Sequence, residues 1–233
     1  MGGRTEHPLL LAMTTVLSHV AMIPSLRFLH QQGFTYELGV SIFATIASFM
    51  YHLAESFDAT LLLTEGQWHR LDNIGIIGVF GLYFSHLCCL RNPIADAALK
   101  QATFFVTLVL QEKDPWNEWY TIGPVLGFAV MPIMAAAWRW RTPPFNWLEV
   151  MFGFGLLTVA LPFFVWGLDD QNDPFRVYHA IWHVAGGYGS YRLWQVVPNP
   201  VARAARRQLN AMPPHDYYHH HHHEGVPTVS RRV

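Results

Sequence analysis

The stretch ASFMYHLAESFD (residues 47–58) closes a long apolar run and sets Ser48, His52, Glu55 and Asp58 into it. Ser48 and His52 are four residues apart, which is the spacing of neighbours on one helix face. The first question is whether that helix belongs to a soluble domain or to a membrane bundle. The distribution of charge decides. Stretches of about 20 residues with hardly any charge recur at 9–29, 36–57, 73–90, 97–111, 119–138, 146–167 and 175–196 of the 233-residue chain, the fourth being the shortest. The expected fold is therefore all-α, a seven-transmembrane helix bundle. Mean hydropathy is only mildly positive because the loops and a polar tail dilute the spans. Pro24, Pro124, Pro132 and Pro162 fall inside apolar runs, which membrane helices tolerate.

The same charges suggest an orientation. With the N-terminus outside, one side receives Arg27, Arg91, Lys100, Arg139, Arg141, Arg192 and the basic tail, while the other keeps Arg4, Arg70, Lys113 and Arg176 beside acidic loops such as DDQND (169–173). Cytoplasmic loops carry the Lys/Arg excess, so the N-terminus is expected to be extracytoplasmic and the C-terminus cytoplasmic. Seven tryptophans near span ends, Trp116, Trp119, Trp138, Trp140, Trp147, Trp166 and Trp194, are expected in an interfacial belt. The division is a short extracytoplasmic N-terminus (1–8), a seven-helix membrane domain (9–197) and a basic, His-rich cytoplasmic tail (198–233) read as disordered. In that tail VARAARRQL (201–209) reads as positive-inside anchoring or as a short basic amphipathic helix at the cytoplasmic membrane surface, and HHHHH (219–223) as an adventitious metal binder or part of a tag, outside the site argument. No cleavable signal peptide, internal repeat or phosphate-binding loop is evident. GGYG (186–189) reads as close helix packing. Cys88 and Cys89 are adjacent and read as buried small hydrophobes without a disulfide framework.

Ionisable groups inside membrane spans are costly and mark function by default. His52 lies near the outer end of the second span. Asp72 is expected at the first turn of the third, on the same side, and His179 and His183, again four apart, near the outer start of the seventh. Three imidazoles at one depth are a source of nitrogen ligands for Zn2+, whose catalytic sites use three protein ligands and an open fourth position. Zinc lowers the pKa of bound water to about 7. Asp72 would then act as general base and Ser48 as an oxyanion donor. Each piece alone also reads plainly: Ser48 and His52 as an interhelical hydrogen-bonding pair, Asp72 as a helix cap. His69 is a spare candidate three residues before Asp72. His19 and His86 read as packing residues away from the cluster, and Glu55 and Asp58 as solvated loop carboxylates or, on a functional reading, as an acidic entrance that favours a cationic or zwitterionic head group.

Together Ser48 and His52 in SFMYH, Asp72 in HRLDNIG (69–75), the Gly-Pro of WYTIGP (119–124) and the two histidines of HAIWH (179–183) resemble the superfamily of seven-helix membrane hydrolases that includes alkaline ceramidases and the progestin and adipoQ receptors. The closer likeness is to the transmembrane-protein-eight, or myomaker, family, and it covers roughly residues 10–198. The resemblance implies zinc on His52, His179 and His183, with Ser48 and Asp72 beside it, and an extracytoplasmic N-terminus. Larger members carry a long region before the first helix, whereas about eight residues precede it here, and LAESFD (53–58) replaces the loop of closer relatives. Substrate choice therefore does not transfer. The leading expectation is a zinc-dependent hydrolase cutting an ester or amide bond of a membrane lipid. The alternative is a non-enzymatic membrane-remodelling or cell-fusion protein with a structural zinc. The location expected is the plasma membrane or a secretory-pathway membrane, with lipid as partner, no nucleic acid, and a homo-dimer left open.

Overall fold

The computed structural model describes residues 7–140, 143–169 and 173–198. The readings placed on residues 199–233 lie outside the described residues. Seven helical rods follow one another: α1 (Pro8–Gln32), α2 (Thr35–Phe57), α3 (Glu65–Leu87), α4 (Pro93–Lys113), α5 (Glu118–Arg139), α6 (Trp147–Trp166) and α7 (Val177–Leu193). Among the described residues the β structure amounts to one isolated bridge, Leu61 with Leu63. Five of the rods, α1, α2, α4, α5 and α6, are long and apolar enough to cross a membrane, as in an integral membrane protein. α3 and α7 are different in kind: α3 carries Glu65, Arg70 and Asp72 in its first turns, and α7 is only 17 residues long.

Local chemistry explains where the helices start. Asn92 accepts hydrogen bonds from the backbone N–H groups of Ile94 and Ala95, and Pro93 occupies the first helical position, where its missing N–H matters least. α4 therefore begins before the apolar run at 97 and reaches 21 residues. In α3 the Thr64 side chain accepts from the Gln67 N–H while the Gln67 side chain accepts from the Thr64 N–H, a reciprocal capping box. This moves the helix start to Glu65 and corrects the expectation for Asp72, which lies two turns inside α3 and is no first-turn cap.

α1 is not uniform. It runs as α-helix over Pro8–Ser18, tightens to a 3-10 turn at His19–Met22, and resumes at Ile23–Gln32. Pro24 has no N–H to give the Val20 carbonyl and its ring crowds that carbonyl; the Ile23 N–H donates to it instead, so the backbone overwinds just upstream. Gly33, at φ 71°, ends the rod and donates to the His30 carbonyl, the left-handed cap that glycine suits.

α3 packs against α2, α4 and α5, while α7 packs against α6 and α1, and α1 also touches α2. Glycines allow the closest approaches. A Cβ on Gly75 would sit 2.6 Å from the Ala44 Cα, and one on Gly187 would sit 2.9 Å from the Ala21 carbonyl oxygen; small residues let helix backbones meet in this way. The GGYG run thus packs as its sequence suggested. Trp116, Trp119, Trp138, Trp140, Trp147 and Trp166 are exposed near helix ends, but Trp194 is buried against Tyr83, which corrects its place in the belt. Cys88 is buried and Cys89 half-buried, both free.

Leucine at Gly75 should cost about 1–3 kcal/mol, the usual range for overpacking, whereas Gly39→Leu, with no atom within 4 Å of its Cβ position, should not destabilise. Thermal melts of the two detergent-solubilised variants check this contrast.

Candidate metal centre

The site begins with a three-residue spacing on α2. His52 and Glu55 face the same way, and His52 Nδ1 lies 3.1 Å from Glu55 Oε2. Both side chains are buried, His52 at 1% and Glu55 at 4% exposure. A carboxylate accepts, so Nδ1 carries the hydrogen and Nε2 keeps its lone pair. That Nε2 is buried with no hydrogen-bond partner. Glu55 Oε1 in turn accepts from Arg176 at 2.7 Å and from the Tyr51 hydroxyl at 3.4 Å. The expectation of a solvated loop carboxylate at Glu55 is corrected: it is an internal residue of α2. Asp58 does sit exposed just past the helix end.

Arg176 precedes α7 with φ 54°, a left-handed conformation uncommon outside glycine and asparagine. It is held there by Glu55 and by donation to the Gly167 carbonyl. Asp173, buried, accepts from the backbone N–H groups of Val177, Tyr178 and His179 at 2.7, 2.8 and 3.2 Å, satisfying the free donors of the α7 start. His179 is therefore fixed in the first turn of α7, with His183 one turn on. The hydroxyl of Ser18 donates to the Thr15 carbonyl, so at its 2.8 Å contact with His183 Nδ1 it can only accept. His183 is thereby the Nδ1–H tautomer, leaving Nε2 as the nitrogen free to bind. Outer partners of this kind orient metal-binding histidines.

The structure brings His52, His179 and His183 together: one ligand nitrogen from each lies within 4.8 Å of the others, and the ring centroids are 4.6, 4.8 and 5.0 Å apart. His179 Nδ1, like His52 Nε2, is buried without a hydrogen-bond partner. A tetrahedral zinc with Zn–N bonds of about 2.0–2.1 Å spaces its nitrogens about 3.4 Å apart, so the rings need to draw in by at most roughly 1.4 Å. Neutral imidazoles with orphaned lone pairs are a donor set for zinc, copper or nickel ions. Ser48 and Asp72, both half-buried, meet across the α2–α3 seam, the Ser48 hydroxyl against the Asp72 carboxyl, with His52 nearby.

Other histidines divide. His19, read from the sequence as a packing residue away from the cluster, is corrected: its ring lies 4.5 Å from that of His183 and 5.8 Å from that of His52. Three polar residues close together in an apolar run, Thr15, Ser18 and His19, were the signal. His86 does lie apart, against Phe34 and Trp194. His69 stacks on Trp116 at 3.8 Å and touches Tyr51, flanking the cluster without joining the three-nitrogen group.

Fold and site together define a helical membrane protein with a buried three-histidine centre at one end of its bundle. The family described as "Protein of unknown function (DUF3522)" matches residues 7–184, and the chain belongs to that family. The match includes Ser48, His52, Asp72, His179 and His183. No curated protein gives a significant match.

Because removing one partner of a buried ion pair strands the other charge, Arg176→Met should destabilise by about 3–5 kcal/mol. Adding Glu55→Gln to it should recover part of that loss. A double-mutant cycle by detergent-phase unfolding measures the coupling, and additive effects would show that the pair does not interact.

Proposed function

We propose that this chain is a zinc-dependent intramembrane hydrolase that opens an ester or amide bond of a membrane lipid. On this reading all seven helices cross the bilayer, with the N-terminus extracytoplasmic. The observation that carries the reading is the meeting of three histidine nitrogens within 4.8 Å beside a carboxyl–hydroxyl pair, Asp72 with Ser48. His52, His179 and His183 would hold the zinc, which when bound supplies a Lewis acid and lowers the pKa of water. Asp72 takes the proton of the attacking water and returns it to the leaving group. Ser48 donates its hydroxyl to the oxygen on which negative charge develops. Glu55 holds the His52 ring by its Nδ1–H, and Ser18 does the same for His183.

A lipid is the fitting substrate because the cluster lies among helices whose outer faces are apolar. Leu9, Met13 and Leu17 on α1, and Ile181 and Val184 on α7, point out of the bundle, so an amphiphile can approach sideways while its polar carbonyl reaches the histidines. The resemblance of SFMYH, HRLDNIG and HAIWH to the seven-helix membrane hydrolases supports the same reading. A purely structural zinc, as in the membrane-remodelling alternative, needs ligands but has no use for a base and a hydroxyl donor beside them.

Metal analysis of the purified protein, joined to mass spectrometry of lipid products, tests the proposal. His179→Ala should lose bound zinc. Asp72→Asn should keep zinc and fold but lose turnover by about 100-fold or more; unchanged turnover would remove the general-base role. Glu55→Gln should weaken zinc binding by about 10–100-fold, the usual effect of losing an outer-shell partner, read by competition with a chelator.

A further inference from the structure

His19 is a buried histidine of the cluster to which the proposed reaction assigns no task. Its Nδ1 lies 2.9 Å from the Thr15 carbonyl oxygen and 3.3 Å from that of Val16. Carbonyls only accept, so the hydrogen is on Nδ1 and the lone pair on Nε2. That Nε2 is buried and has no hydrogen-bond partner, in a residue 5% exposed. An unpaired buried acceptor is destabilising and calls for an explanation.

The surroundings say what is missing. His52 and His183 also present Nε2 lone pairs, because Glu55 and Ser18 hold their Nδ1–H groups. The lone pairs of these rings thus converge on one another's neighbourhood. A cation satisfies those of His52, His179 and His183, whose nitrogens share one 4.8 Å group, but His19 is outside that group. Its ring meets His183 at 4.5 Å and His52 at 5.8 Å. It borders the group from α1 without being one of its three nitrogens, while Asp72 borders His52 from α3. The 3-10 turn that opens at His19 fixes this placement.

We propose that His19 Nε2 accepts the hydrogen of whatever O–H or N–H group occupies the remaining position of the metal site, and so positions that group between α1 and α3. This rests on the three-histidine metal site proposed above. His19 is on this account a positioning residue for an incoming hydrogen-bond donor, and the site is selective for ligands that carry a hydrogen next to the atom that binds. A ligand without one gains nothing from His19.

The test uses the purified full chain loaded with Co2+, whose visible absorption reports both occupancy and ligand binding. Two probes are titrated: acetohydroxamate, which keeps an N–H beside its metal-binding oxygen, and azide, which has no hydrogen. The parent is compared with His19→Asn, which retains a side-chain N–H for the Thr15 carbonyl, and with His19→Phe, which retains ring volume. Both variants are expected to bind as much Co2+ as the parent, to bind acetohydroxamate about tenfold more weakly, as for one lost hydrogen bond, and to bind azide within about twofold of the parent. The proposal is overturned if Co2+ content falls in both variants, since His19 would then be a ligand closing the site. It is equally overturned if the two probes weaken alike or not at all, or if neither variant folds, since the Nε2 edge would then be a packing surface. A parent chain that takes up no Co2+ removes the metal site itself, an outcome distinct from a failure confined to His19.

Discussion

A single carboxylate holds the cluster end of this bundle together. Glu55 is 4% exposed, and in a low-dielectric interior a lone ionised carboxylate is prohibitive. It is tolerated because both of its oxygens are engaged, one by the Nδ1–H of His52 and the other by Arg176 and Tyr51. The geometry of the site follows from that requirement. Satisfying Glu55 draws Arg176 inward into a left-handed conformation, and the same guanidinium grips the Gly167 carbonyl at the end of α6. The start of α7 is thereby clamped between α2 and α6, with Asp173 covering its free N–H groups. His179 and His183 project from the first two turns of that clamped helix, so their meeting with His52 is a consequence of where Glu55 must find its partner.

The helix α2 keeps its buried ionisable groups towards its two ends. On α2, Glu37 is buried against Lys100 at 2.6 Å, with Asp96 on the same ammonium, and His52 lies about 22 Å away at 1.5 Å per residue. The stretch between them is largely apolar and small, including Ala44 and Ala47, which lets α3 come close through Gly75. An uncharged middle flanked by compensated charge is what hydrocarbon demands of a crossing helix. The same arrangement separates the histidine end from the Lys100 cluster, so each buried carboxylate of α2 finds its cation locally.

Much of this was legible in the sequence, and the exceptions have physical causes. The seven helices overlap the seven apolar runs, and the five that are long and apolar enough to cross a membrane are the ones hydrophobic scanning reads best, because a segment that faces lipid must be apolar over most of its length. The three histidines were legible because a spacing of four projects HAIWH from one face. The start of α3 was misplaced because it is set by the Thr64–Gln67 capping box, a local hydrogen-bond pattern that hydrophobic scanning ignores. Glu55 was taken for a loop residue because Asp58 follows closely, although His-x-x-Glu on one helix face marked a carboxylate aimed at an imidazole. Asp173 and Arg176 gave no local signal: their roles depend on residues brought from elsewhere in the chain. His19 lies midway along its apolar run, not at a span end like the other three, and its approach to the cluster depends on how α1 packs against α2 and α7, which position along the run does not show.

Tautomer control is the step that joins packing to chemistry here. A neutral imidazole can turn either nitrogen inward as an acceptor or as a donor, and three rings left to themselves would pair N–H to lone pair. The protein prevents this. Glu55 takes the Nδ1–H of His52, the Thr15 carbonyl takes that of His19, and Ser18, its own hydrogen spent on the Thr15 carbonyl, takes that of His183. The backbone of one turn of α1 thus dictates the tautomer of rings on α1 and α7, while α2 dictates its own. What remains at the centre is an excess of lone pairs, which is repulsive when empty and favourable around a cation. An apolar core could fill the same volume at lower cost, since buried polar groups are stabilising only when fully satisfied. On the proposed reading that cost is offset by a cation, for which the nitrogens of His52 and His183 are already turned by their outer partners.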